Sequence, residues 1–392
     1  MSELTVFYNA TLFDGIKQGF TANSWFSVQD GKIVAVGTGE PAESAHMVNC
    51  EGLYIMPGMI NAHTHLVSDP DDPTILIRKN SIVTLTKKAI DNARELLESG
   101  IVLIRDLGCP MDIDLELRTM LNNGSLLGPD ALVSGTPIVM SGGHGYLLGL
   151  ESDGEDEVRK HTRQLLKKGV DVVKFMASGG VVTGGETPHD VQLSEAELRA
   201  GIMEAKHKGK KTAAHAQGRQ SIINAIHAGI DTIEHGVYMD DEVIELFLKH
   251  EVTLVPTLVA PYYIVEAGKE NKVPQYMVDK SQGMMDDHLK SFAKAVKAGV
   301  TIALGTDAGT PFNHYRNTAF ELVLMTQAGM SNQQALFSAT SVAAKTLGVE
   351  GKYGVIAPGA FADVIGLSAN PLEDISACLS VERVYKRGVS VK

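Results

Sequence analysis

Tyr54-Ile55-Met56-Pro57-Gly58-Met59-Ile60-Asn61-Ala62-His63-Thr64-His65 is the stretch on which the fold turns. Upstream of it the chain reads as short strands with turn punctuation: Thr5 to Asn9, Trp25 to Val28, an Asp30-Gly31 turn, and Ile33 to Val36. Downstream, short apolar runs alternate with amphipathic helical stretches, the pattern of parallel α/β structure. The runs are Met59 to His65, Val102 to Leu107, Ala131 to Val139, Val170 to Met176, Thr212 to Ala216, Thr232 to His235, Thr253 to Val259, and Thr301 to Gly305. Between the first two, Ile82, Leu85, Ala89, Ala93, Leu96 and Leu97 form a helical stripe ending at Gly100. Ser194 with Glu197, and Ser331 with Gln334, have the spacing of capping boxes, and Gly209 and Gly348 sit where left-handed C-caps are wanted.

Eight βα units over roughly 290 residues predict an α/β fold of the (β/α)8 TIM-like barrel type, with a doubly wound sheet as the alternative. After Gly348 short strands return, at Tyr353 to Gly359, Ala362 to Leu367 and Val381 to Tyr385. Neither end of the chain holds enough apolar material for a core of its own. The two ends are therefore expected to combine into one small β-sandwich, residues 1–56 plus 352–392, around a barrel of residues 57–351.

The chain has 392 residues, 44% hydrophobic and 21% charged, a globular composition. Its 35 basic against 47 acidic residues leave a formal charge of −12, which argues against a nucleic-acid partner. The longest nearly uncharged apolar stretch, Val252 to Val265, carries Pro256 and Pro261 and is too short to span a membrane. Met1-Ser2-Glu3-Leu4-Thr5 does not open a secretory signal, and Cys50, Cys109 and Cys378 form no CxxC pair. These features predict a cytoplasmic protein with reduced, buried thiols.

On a strand, His63 and His65 face the same side, so two imidazoles would share the barrel mouth. An HxH pair is weak evidence by itself. His215 and His235, however, close the fifth and sixth runs, and Asp307 follows the eighth, all at the face where (β/α)8 enzymes collect their catalytic groups. Lys174 interrupts the apolar run Val170 to Met176, where desolvation favours a neutral amine. Such a lysine can pair with a carboxylate, form a Schiff base, or take up carbon dioxide as a carbamate that bridges two metals. Its position does not choose among these.

Taken together, these residues resemble the metal-dependent amidohydrolase superfamily, and within it the imidazolonepropionase-like and prolidase-like group. The likeness runs from Pro57-Gly58 and His63-Thr64-His65, through Lys174, His215, His235 and Asp307, to Gly354, Ala357-Pro358-Gly359 and Ala362-Asp363. The resemblance implies two divalent metal ions, zinc by default. His63, His65 and Asp307 would hold one, His215 and His235 the other, with N6-carboxylated Lys174 bridging them. It implies attack by a metal-bound hydroxide, with Asp307 shuttling the proton to the leaving amine. It further implies that His144, in the loop Ser141-Gly142-Gly143-His144-Gly145, and Tyr238 hydrogen-bond the substrate carbonyl.

The expected activity is hydrolysis of an amide bond in a small molecule, a dipeptide or N-acyl amino acid, by a homo-oligomer, both by resemblance. Arg105, Arg219 and Arg316 are candidates to grip a substrate carboxylate, and His189 is a possible specificity element. His161, His207, His227, His250 and His288 fall in helical segments and read as solvated. Lactone or phosphotriester hydrolysis is the enzymatic alternative on the same site. A catalytically silent scaffold is the alternative of another class. Neither a phosphate-binding loop, GxSxG nor HExxH occurs.

Overall fold

Asp30 and Gly31 both adopt left-handed backbone, at φ 50° and 74°, the geometry of a two-residue hairpin turn. They join strands Thr21–Gln29 and Lys32–Thr38, with Gln29 opposite Lys32. The computed structural model describes residues 3–72, 81–270 and 272–392. Met1 and Ser2 of the expected β unit, and residues 73–80 and 271 of the expected barrel, lie outside them.

Strands from both ends of the chain hydrogen-bond into one eight-stranded sheet. Its seam is Tyr54–Pro57, parallel to Thr5–Leu12 on one side and antiparallel to Val364–Leu367 on the other, with Val364 opposite Pro57. The sheet carries its own apolar cluster, in which Phe7 stacks on Phe26 at 4.6 Å and meets Tyr385 edge-on at 5.0 Å. Gly58 then hands the chain into the barrel. A Cβ at this position would stand 2.2 Å from Val102 Cγ1, so only glycine permits the crossing.

The barrel is a ring of parallel strands covered by helices. Met59–Thr64, Ile101–Asp106 and Asp130–Val133 form one arc. Ile138–Val139, Val172–Met176, Lys211–Ala216, Thr232–His235 and Thr253–Val255 form the other. Three runs differ from the expected strands. The third splits in two, because Gly135 turns left-handed at φ 63° and Pro137 has no N–H to offer a ladder. The arcs are joined there by Asp171 N–H donating to Val133 O at 2.9 Å.

The eighth run is a bridging segment rather than a regular strand. Leu254 N–H donates to Thr301 O at 2.9 Å, and Ala62 N–H to Leu304 O at 2.8 Å, closing the ring between the seventh strand and the first. The seventh strand ends at Val255, before Pro256, and Val259–Gly268 is already helical. Among the outer helices, Ile82–Glu98 buries Leu85, Ala89, Ala93, Leu96 and Leu97 while Ile82 stays exposed. Both capping boxes form, at Ser194 and Ser331. Among the described residues no helix is long and apolar enough to cross a membrane.

Candidate active site

The C-terminal ends of the barrel strands open into a cleft of about 770 Å³ whose walls include His63, His65, His144, Lys174, His215, His235 and Asp307. His63, His65 and Asp307 are drawn together most tightly. Each offers a ligand atom within 4.8 Å of the others, with Asp307 Oδ1 standing 3.1 Å from His65 Nε2 and 3.4 Å from His63 Nε2. The ring of His235 lies 5.3 Å from that of His63 and 4.5 Å from that of His215. Lys174, 1% exposed, reaches the cleft from the fourth-run strand.

Each imidazole is oriented by a bond from its other nitrogen. His63 Nδ1 meets Glu234 Oε2 at 2.9 Å, His65 Nδ1 faces Gly108 O at 3.2 Å, and His235 Nδ1 meets Thr257 Oγ1 at 2.6 Å. These bonds leave the three Nε2 atoms for the cleft. His215 is reversed: its Nε2 faces Gly179 O at 3.1 Å, leaving Nδ1. Imidazoles held this way on their far side are the usual surroundings of a metal site. Three of the residues involved are strained, because His235, Thr257 and Asp307 all adopt left-handed backbone, at φ 74°, 52° and 56°. Backbone of this kind costs about 1–3 kcal/mol per residue and gathers at functional sites.

The electrostatics follow from burial and neighbours. Burial drives His215 and His235 well below the ordinary histidine range, so both are neutral and able to ligate. Burial also lowers His63, to about 4, while for His65 the bond and charge of Asp307 outweigh burial and raise it. Burial would raise Asp307, but His63 and His65 hold it well below the usual carboxylate range. Burial brings Lys174 down to about 8 against the pull of Glu234 and Asp307, with Arg105 adding to the descent. Among the described residues Lys174 Nζ has no hydrogen-bond or ion-pair partner. A desolvated, unpartnered amine beside four imidazoles and a carboxylate is a donor set that fits divalent cations.

His144 stands on the opposite wall, its ring stacked 4.3 Å from that of His215. Its Nδ1 bonds Glu186 Oε1 and its backbone N–H donates to Gln192 Oε1 at 2.8 Å. Glu186 also accepts from Gly180 N–H at 2.9 Å and Gln192 Nε2 at 2.7 Å. The ring lies so close over Gly180 that a Cβ there would fall 2.4 Å from it.

Several residues singled out in the sequence are placed elsewhere. Tyr238 does not line the main cleft; its ring packs on that of His189 at 4.2 Å. None of the three arginines faces the cleft with a free guanidinium. Arg105 is 1% exposed and bonds Ala62 O at 2.7 Å, Thr232 Oγ1 at 3.1 Å and Glu234 Oε1 at 2.9 Å. Arg219 is paired with Asp240 and Glu242, and Arg316 with Glu95. His288 is not a solvated helical histidine. It is buried, and its Nε2 donates to His235 O at 2.9 Å, because the long helix Gln275–Ala298 packs beneath the sixth strand end.

Sequence reading missed Glu234, Glu186 and Gln192. The only signal for Glu234 was a carboxylate inside the apolar run Thr232 to His235. Glu186 and Gln192 sit in a loop and gave none.

A (β/α)8 barrel whose mouth gathers imidazoles, a carboxylate and a lysine carries the ligand types on which metal-dependent hydrolases rely. The model of the amidohydrolase family matches residues 54–391, and the chain belongs to that family, whose members are generally metal-dependent. It is an enzyme, a hydrolase acting on amide bonds. In sequence it is 30% identical over 432 residues to the ochratoxinase of Aspergillus niger, covering 99% of this chain and 86% of that one. In structure it is similar to a Xaa-Pro dipeptidase with bound methionine in the active site, at TM-score 0.92 and 28% identity over 99% of this chain and 100% of that one. It is equally similar to a prolidase complexed with N-methylphosphonate-L-proline, at TM-score 0.93 and 28% identity over 99% of both chains.

Proposed function

We propose that the protein is a binuclear metal-dependent hydrolase that cleaves the amide bond of a dipeptide or N-acyl amino acid. The observation that carries this reading is the buried Lys174 amine, without a partner among the described residues, facing the cleft between the imidazole pairs. His63, His65 and Asp307 would hold one cation, His215 and His235 the other, and a carbamate on Lys174 would bridge them, with zinc the metal that four histidines suit. Bound there, the cations supply a water nucleophile at neutral pH and polarise the scissile carbonyl.

The rest of the chemistry belongs to the chain. Asp307 takes the proton of the attacking water and delivers it to the leaving amine. His144, held through Nδ1 by Glu186, presents its Nε2 edge to the oxygen that gains charge. Tyr238, whose ring packs on His189 outside the main cleft, has a donor role to that oxygen by resemblance alone, which Tyr238→Phe would test. The substrate class is supported by the likeness to the Xaa-Pro dipeptidase and the prolidase.

We also propose a reducing, cytoplasmic setting, supported by three buried free cysteines, and a homo-oligomer, supported by resemblance. The division into residues 1–56 plus 352–392 and 57–351 is proposed with them.

Metal analysis of protein purified without chelator, beside Lys174→Ala, tests the centre. Two equivalents per chain, falling sharply in the variant, support it; one equivalent unchanged by the substitution overturns it. A panel of dipeptides, N-acyl amino acids, lactones and aryl phosphotriesters then tests the bond cleaved.

A further inference from the structure

A second pocket opens off the same centre. It shares His144, Val182, His215, His235, Asp307 and Thr310 with the main cleft and runs back between Val181, Ala260, Pro261, Ile264 and Met284, a space of about 390 Å³ partly open to solvent. These walls are hydrocarbon, with Thr257 and His288 beside them. Gln217 also lines this pocket, is 5% exposed, and its Oε1 has no hydrogen-bond partner among the described residues. A buried amide oxygen left without a donor costs about 1–3 kcal/mol, so it is a group that something else is meant to satisfy.

Gln217 is held in this position. It lies two residues beyond His215 at the end of the strand Lys211–Ala216, so both are directed to the cleft side. Its backbone N–H donates to Ser178 Oγ at 3.0 Å and its carbonyl accepts from Tyr238 N–H at 3.0 Å. The side chain can therefore not relieve its oxygen by moving the backbone.

We infer that this pocket receives the substrate side chain next to the scissile bond, and that Gln217 is a specificity residue accepting a hydrogen bond from it. The occupant is apolar along its body and carries one hydroxyl or N–H donor at its tip, the chemistry of a phenol or an indole. This inference rests on the amide-hydrolase reading of the neighbouring centre. A site that pairs with a substrate hydroxyl rejects the analogue lacking it, because the protein acceptor is then buried unpaired.

The test uses matched dipeptides, Tyr-Ala with Phe-Ala and Ala-Tyr with Ala-Phe, so that the hydroxyl is varied on either side of the bond. Turnover is followed with the wild-type protein, and binding by calorimetry with full-length Asp307→Asn, each with and without Gln217→Met. Methionine matches glutamine in length and removes the unpaired oxygen. The expected result, at one flank, is a preference for tyrosine over phenylalanine of about tenfold or more, collapsing to near unity in Gln217→Met because phenylalanine binding improves. A merely structural Gln217 would weaken both ligands together, and a pocket that only hosts water would treat them alike; either outcome overturns the inference. Binding preference without turnover of any dipeptide would leave Gln217 as assigned and defeat the dipeptide-hydrolase reading alone.

Discussion

Glu234 Oε2 stands 2.9 Å from His63 Nδ1, and both side chains are buried. The other oxygen, Oε1, takes Arg105 NH2 at 2.9 Å and Thr232 Oγ1 at 2.5 Å. One carboxylate thus orients a cleft imidazole and neutralises a buried guanidinium. Burial alone would raise Glu234, but Arg105 and His63 pull it far below the carboxylate range.

Glu234→Ala should therefore fail in two ways at once. It leaves Arg105 buried without its partner, which typically costs about 3–5 kcal/mol, and it frees His63 to rotate. The expected outcome is a lower denaturation midpoint together with metal affinity reduced by about ten- to hundredfold. Chemical denaturation and metal titration of the same preparation check it; normal metal affinity would show that His63 needs no such support.

Lys174→Arg separates a bridging carbamate from a structural cation. Arginine keeps the charge and much of the length but cannot take up carbon dioxide. Metal content and turnover should fall as far as in Lys174→Ala. Retention of both in the arginine variant, measured by elemental analysis and initial rates, would assign Lys174 a structural charge instead.

Glu186→Gln places an amide N–H2 among the donors from His144, Gly180 and Gln192 that Glu186 now accepts. With His144 no longer held, kcat should drop by about tenfold or more, while metal content stays unchanged. An unaltered kcat would remove His144 from the chemistry.

Glu321 predicts a pH effect away from the site. It is fully buried and accepts Leu258 N–H and Val259 N–H, each at 2.8 Å, at the start of the helix Val259–Gly268. Burial outweighs these two bonds and lifts its carboxyl from 4.5 to about 8. Between those values the folded protein holds a proton that the unfolded chain has lost. This group's contribution is therefore fully present below pH 4.5 and declines as pH rises toward 8, by up to about 1.4 kcal/mol per pH unit. Glu321→Gln should flatten the pH dependence of stability across that window; an identical slope in thermal melts would refute the assignment.

Much of the architecture was legible because hydrophobic periodicity reports directly on strands and helices. The capping boxes at Ser194 and Ser331 formed as read, since they depend only on residues three apart. The eighth run was misread as a strand because Thr301 to Gly305 has strand composition, but its passage beside Val255 and His63 leaves only a bridging path. His288 looked solvated because a helical position does not say which face another element will cover.

Chain order by itself determined the barrel, the sheet built from both ends, and the strand-end positions of His63, His65, Lys174, His215, His235 and Asp307, because local patterns of two and 3.6 residues encode them. Tertiary structure alone decided what surrounds them. Strict alternation would put Glu234 and His235 on opposite faces, yet left-handed backbone at His235 turns its ring back beside His63. The partners Glu234 for His63, Glu186 for His144 and Arg105 for Glu234 lie 171, 42 and 129 residues apart. Separations of that size leave no periodic trace in the chain, so only the closed barrel brings the groups within bonding distance.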